Sequence, residues 1–448
     1  MRRENILRKE QVRGSNNNSI FAQTMAEGKQ VTFQQFLPDL TQPRFTTLQQ
    51  QDAHEYAAAF KSDGQPPWLH GLWLHWRELF AEPFRGITND GVVRPDLFIL
   101  QDEGVPVAEI ATTAESLLSL LDKSQKERII HHIDSPEWRS WSNPEFLLSD
   151  KGIRLDEVAV PVRDAALSLL ERTLSPEGYQ KALGAMRING FLGRLVNAPR
   201  VCNEFSYNLA LFGEPSATAP WGFSFYGHHL CLNIMLYRNQ VVVSPCFTGA
   251  EPNVIDDMAD PHNGTQILQE EDRLGLALMQ SLPPDLQSRA QTFALLRDPV
   301  MPHGRWNHDD QRHLCGAYRD NRDVPYEGVK VSDMSSSSRD LVSAILEQFL
   351  LYLPKRAREM RLAQATEWYP ETWFSWIGGF GDSDAFYYRV QNPVIIVEFD
   401  HHSGVFLTNK EPARFHIHTI LRTPNAGDYG MALRPLIKGA RQNFVWEG

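Results

Sequence analysis

The stretch FSFYGHHLCLNIMLY (residues 223–237) decides the fold. Apolar residues alternate along it with the period of two that marks a strand. Arg238-Asn239-Gln240 reads as a turn, and VVVSPCF (241–247) returns, so the spacing predicts a β-hairpin. The same period recurs in TWFSWIGG (372–379), AFYYRVQ (385–391), PVIIVEFD (393–400) and FHIHTILR (415–422). The connections between these runs are short for parallel crossovers, which points to antiparallel pairing.

Helical spacing occupies most of the remainder. TTAESLLSLLDKSQKERIIHHI (112–133) repeats apolar residues at Leu117, Leu118, Leu121 and Ile129, with Thr113 as its expected cap. EEDRLGLALMQSL (270–282), PDLQSRAQTFALL (284–296) and SSRDLVSAILEQFLLYL (337–353) follow, the last capped by Ser337 or Ser338 and stopped by Pro354. The expected class is α+β: an antiparallel sheet flanked by helices, with a helical and aromatic-rich N-terminal region. Along the chain this divides into a polar arm (1–30), a mainly helical region (31–190) and an α+β domain (191–448), the last two either separate or continuous.

The strand faces carry the chemistry. In the last run His416, His418 and Arg422 fall on one side, with Phe415, Ile417 and Leu421 on the other. Glu398 and Asp400 share a side of the preceding run, opposite Ile395, Val397 and Phe399. In 223–237, His229 aligns with Cys231 and Asn233, whereas His228 aligns with Leu230, Leu232 and Ile234. His229 is therefore the preferred ligand and His228 the alternative, since a bulge at Gly227 exchanges their roles.

Neutral imidazoles with a carboxylate suit a divalent transition metal. The expected ligands are His229, His416, His418 and Glu398. Iron is favoured, with copper, zinc or manganese as alternatives. Asp400 is a candidate ligand-orienting group or base. Arg389 and Arg422 are candidates to clamp a substrate carboxylate, or to pair with Glu398 or Asp400. Asn233 and Tyr388 are expected to line the substrate site. HGRWNHDDQRH (303–313) has metal-ligand letters but loop-like composition, and reads as a solvated segment.

Composition narrows the function classes. A net charge of −11 disfavours a sequence-independent grip on nucleic acid or an anionic membrane. No apolar run approaches the roughly 20 residues of a spanning helix. Cys202, Cys231, Cys246 and Cys315 form no CxxC pair, which suits reduced thiols and a cytoplasmic protein. The expected partner is a small molecule; oligomeric state is not legible.

The motifs WGFSFYGHHLCLN, PCFTGAEP, FYYRVQNPVIIVEFD and HIHTILRTP…GDYG, in this order over residues 190–435, resemble the family catalogued as domain of unknown function 3500. By position the resemblance implicates Gly227, His228, His229, Asn233, Arg389, Glu398, Asp400, His416, His418, Arg422 and Asp428. Phe415 stands where the family has Asn, and Thr423 where it has Asp. The resemblance implies no activity. The residues themselves point first to an iron or copper oxidoreductase, then to a zinc or manganese hydrolase, and third to a non-catalytic small-molecule binder.

Overall fold

The computed structural model describes residues 31–439 apart from 63, 65, 66 and 150; the expected arm at 1–30 lies outside the described residues. Among the described residues twelve strands form one sheet: β1 (Ile130–His131), β2 (Ile153–Arg154), β3 (Tyr207–Phe212), β4 (Trp221–Gly227), β5 (Leu230–Tyr237), β6 (Gln240–Ala250), β7 (Gln291–Phe293), β8 (Val329–Lys330), β9 (Trp373–Gly378), β10 (Phe386–Gln391), β11 (Ile396–His401) and β12 (Ile417–Arg422). The spatial order is β1-β3-β4-β5-β6-β12-β11-β10-β9-β7, with β2 also on β3 and β8 also on β9.

The sheet is mixed rather than antiparallel throughout, because β1 lies parallel to β3 and β7 parallel to β9. Both are short edge strands that continue directly from a helix, Lys123–Ile129 and Pro284–Ala290 respectively. Parallel pairing needs a long crossover, supplied between β1 and β3 by helices Val160–Thr173 and Pro176–Leu195 and between β7 and β9 by Ser336–Phe349 and Lys355–Glu367. Strand β7 replaces the C-terminal half of the helix expected over 284–296.

The run 223–237 is two strands, not one. Gly227 pairs with Leu230, so His228 and His229 form a tight turn between β4 and β5. His229 takes φ +60°, the left-handed conformation that lets a two-residue turn reverse the chain. A His-His dipeptide carries none of the Gly, Asn or Asp signals that announce such a turn.

Helix starts also differ. The helix expected to begin at Thr113 begins at Val107, and a second helix starts at Asp122, whose side chain accepts from Gln125 N–H in a capping box. Ser335, not Ser337 or Ser338, caps Ser336–Phe349. The helix Pro176–Leu195 runs across the expected boundary at 190, and one apolar core extends from Phe33 to Ile437.

The two faces of the central sheet differ in kind. On one, Tyr388 stacks on Phe399 (centroids 5.1 Å apart) beneath the helix Gln269–Ser281, and its hydroxyl donates to Glu271 O. Gly275 of that helix is obligatory, since a Cβ there would sit 2.1 Å from the Tyr388 ring. The other face carries Tyr387, Arg389, Glu398, Asp400, His418 and Arg422 in adjoining strands. Here the cover is irregular chain around residues 303–327 rather than helix. The segment 303–313 is therefore not a solvated loop: Arg305, Asp310, Arg312 and His313 are all buried.

Buried charge on this face must be paired or it is very costly. Arg422 is held between Asp320 and Asp428, and also donates to Cys315 O (3.2 Å). Asp320 additionally binds Arg139, and Asp428 accepts from Ser244 Oγ and Thr423 N–H. Burial lowers the Arg422 pKa and its two carboxylates raise it, with a net shift upward. Its partners are thus neither Glu398 nor Asp400, and no donor is left for a substrate on the scale of a clamp. Replacing it (Arg422→Met) leaves two buried carboxylates undercompensated and is expected to lower stability by about 3–5 kcal/mol, measured as the denaturation midpoint and slope in urea.

Candidate metal centre

One strand and one turn bring the imidazoles together. His418 sits on β12 opposite Gly249 of β6, and Gly249 N–H donates to His229 O across the turn (2.8 Å). His416 immediately precedes β12, two residues from His418 and on the same side. Nε2 of His418 lies 3.0 Å from Nε2 of His229 and 3.1 Å from Nε2 of His416. Among the described residues this is the group of three whose ligand atoms all lie within 4.8 Å of one another.

Gly249 makes the convergence possible. A Cβ at this position would lie 2.9 Å from Cδ2 of His229 and 3.0 Å from Cδ2 of His418. The rings fill the space that any side chain would take. Sequence reasoning missed it, although the FTGAEP stretch holding it was in view.

All three imidazoles are buried, and burial keeps His229 and His418 well below the ordinary histidine pKa and His416 below it; neighbouring imidazoles push His229 and His418 further down. Burial thus favours the neutral form, the one that ligates metal. At Nε2 a neutral imidazole offers either one N–H or one lone pair. His418 has two imidazole neighbours at that atom, so one proton cannot make both contacts good hydrogen bonds. A cation satisfies all three lone pairs at once.

Further histidines and acids surround these rings. His228 stacks on His229 (centroids 3.8 Å) but turns its Nδ1 to Asn189 Oδ1 at 2.8 Å, and burial depresses it to about 3. His402 lies against His418 (centroids 3.7 Å), its Nε2 3.1 Å from Asp400 Oδ2. Glu251, fully buried, accepts from the N–H groups of Val405, Phe406 and Leu407 and stands 3.8 Å from His416 Nδ1. His313 is fully buried, 6.3 Å from the His418 ring, with neither ring nitrogen hydrogen-bonded.

The remaining expected site residues are placed elsewhere. Glu398 does not join the histidines: it accepts from Leu314 N–H, Cys315 N–H and Tyr387 OH (2.8, 2.8 and 2.6 Å). Burial raises its pKa, but His313, Arg389 and these donors outweigh burial and hold it below the usual carboxylate value. Asp400 pairs with Arg312 (2.6 Å), while His402 Nε2 beside it makes no hydrogen bond. Asn233 bonds to Ser224 Oγ and Pro245 O on β4 and β6 and pins the irregularity in β5. Tyr388 faces the helices on the opposite side of the sheet, and Tyr387 takes the position expected of it. Arg389 pairs with Glu327 (3.0 Å).

A family model described as a protein of unknown function, DUF3500, matches residues 103–431, a span that includes every residue of the centre. No curated protein and no solved structure matches the chain.

Adding one methyl group beneath the rings tests the packing directly. Gly249→Ala is expected to force His229 and His418 apart and cost about 1–3 kcal/mol, read as a shift of the urea midpoint; an unchanged midpoint would show that the two rings do not share this space.

Proposed function

We propose, for a chain that belongs to the DUF3500 family, that His229, His416 and His418 hold one divalent transition-metal ion in a metal-dependent oxidoreductase acting on a small organic molecule. The observation that carries this reading is the buried approach of three Nε2 atoms, at 3.0 and 3.1 Å along two edges of the triangle. With metal–nitrogen bonds of about 2.0–2.1 Å, adjacent ligands at right angles are about 2.9 Å apart and tetrahedral ones about 3.4 Å. The two observed separations fall between them, which suits three nitrogens on one ion with further coordination positions free for ligands.

Imidazole donors favour iron, copper, zinc or manganese over magnesium or calcium. An ion bound there supplies a Lewis acid and, for iron or copper, one-electron redox chemistry. The protein side of the site excludes water through burial, and Glu251 and Asp400 supply negative charge near otherwise neutral ligands. Redox chemistry ranks first because Asp400 and Glu398, the bases a hydrolytic reaction would draw on, have their oxygens committed to Arg312, Leu314, Cys315 and Tyr387.

A second reading, a zinc- or manganese-dependent hydrolase, is favoured by His313. Its two unengaged nitrogens place a base beside the centre. A binding protein without catalysis is the remaining alternative, in which the histidines only knit the sheet.

Elemental analysis separates these readings. The purified protein is expected to hold close to one equivalent of iron or copper, with colour or an electron paramagnetic resonance signal, and His418→Ala is expected to weaken metal retention by at least about tenfold while the far-ultraviolet circular dichroism persists. A colourless protein with one equivalent of zinc overturns the redox reading. No stoichiometric metal, in protein prepared without chelator and supplied with each ion, overturns the metal centre itself.

A further inference from the structure

Beyond the histidines, the polar face carries a second buried group with unspent hydrogen-bond donors. Arg305, in the irregular segment over the sheet, is 4 % exposed, and Arg389 of β10 is 1 % exposed. Arg305 gives Nη1 to Arg312 O (2.8 Å), but its Nε and Nη2 are buried without a hydrogen-bond partner. Those two atoms form the side-on edge of a guanidinium, the edge whose parallel N–H groups match the two oxygens of a carboxylate. Arg389 gives Nη2 to Pro325 O and Glu327, and its Nη1 is likewise buried and unpartnered.

The two arginines belong to one site. Glu327 bridges them, 3.0 Å from Arg389 and 3.7 Å from Arg305, and its side chain is 28 % exposed, so the pair lies just under the surface. Glu327 on the surface side and Glu398, opposite Arg389 on β11, both face this pair, so what the two guanidiniums have to spare is hydrogen-bond donors rather than net charge.

The route from this pair to the centre is short. Arg305 stands over the Tyr387 ring (5.0 Å), and the Tyr387 ring is 6.3 Å from His313, which is 6.3 Å from His418. Tyr387 pairs with Asp400 and Asp400 with His418, two strand spacings, or about 10 Å. His313, with both nitrogens unengaged, lies between the ends.

We infer that Arg305 and Arg389 form an anion subsite that receives the carboxylate of a small organic acid, with the rest of that molecule directed past His313 toward the three histidines. This assigns a substrate class to the proposed centre and rests on that reading for its catalytic meaning, but the binding is measurable without metal. Acetate and succinate serve as probes, acetamide as the uncharged control and inorganic phosphate as the tetrahedral competitor. Each is titrated at constant ionic strength into chelator-treated and metal-loaded protein, with the thermal midpoint as readout.

Saturable stabilisation by the carboxylates and not by acetamide is expected in both forms. Arg305→Gln is expected to weaken it about 10- to 100-fold with metal content unchanged, and Arg305→Lys to restore part of it. Glu327→Gln, at a half-exposed position, is expected to tighten binding by removing the competing carboxylate, and it tests the site even if Arg305→Gln does not fold. No saturable carboxylate binding, equal binding by Arg305→Gln, no response to Glu327→Gln, or preference for phosphate each overturns the proposal. Carboxylate binding in a protein that holds no metal would overturn the centre and leave the subsite standing.

Discussion

Gly249 of β6 and His418 of β12 face each other, and the absence of a side chain at the first is the constraint on which the rest of the arrangement rests. It lets the His229 ring, delivered by a left-handed turn, and the His418 ring, delivered by a strand, occupy one space. His416 then needs only the period of a strand to arrive beside them. Each of the three imidazoles reaches the cluster by a different local device, and each device is rigid: a two-residue turn, a central strand and the residue that leads into it.

The cost of this design is a sheet face that buries charge. Tyr387, Arg389, Glu398, Asp400, His418 and Arg422 occupy neighbouring positions where a typical core would hold aliphatic groups. Helices, with their own backbone bonds already made, cannot satisfy so many polar groups, whereas irregular chain can. The segment around 303–327 therefore lends backbone N–H groups of Leu314 and Cys315 to Glu398, and carbonyl groups of Cys315 and Gly316 to Arg422. Asp400 and Arg312 pair beside His402, whose ring lies against His418. Among the buried groups that keep hydrogen-bonding capacity to spare, Arg305, Arg389 and His313 lie together over this face.

Much of the local structure was legible in sequence, and its limits are physical. Period-two alternation located β11 and β12 and put His416 beside His418, because register within a strand follows from chain order alone. The partners across the sheet do not. Asp320 lies 102 residues from Arg422, and no local pattern joins them. Glu398 shared a face with Asp400 as read, but its direction is decided by Leu314 and Cys315, over 80 residues away. Tyr387, rather than Tyr388, is in phase with Arg389 and, across the strand pair, with Asp400, a distinction the period of two already contains. The burial of Arg305, Asp310, Arg312 and His313 in segment 303–313 is not legible in composition, which reports polarity, while burial of polar residues depends on partners that composition does not reveal.

The central claim is that one ion sits among His229, His416 and His418. Anomalous diffraction at the absorption edge of the bound element, from crystals of the metal-loaded full chain, tests it most directly. The account predicts a single peak about 2.0–2.2 Å from all three Nε2 atoms. A peak coordinated elsewhere, or none at that position in crystals grown with saturating metal, would contradict it.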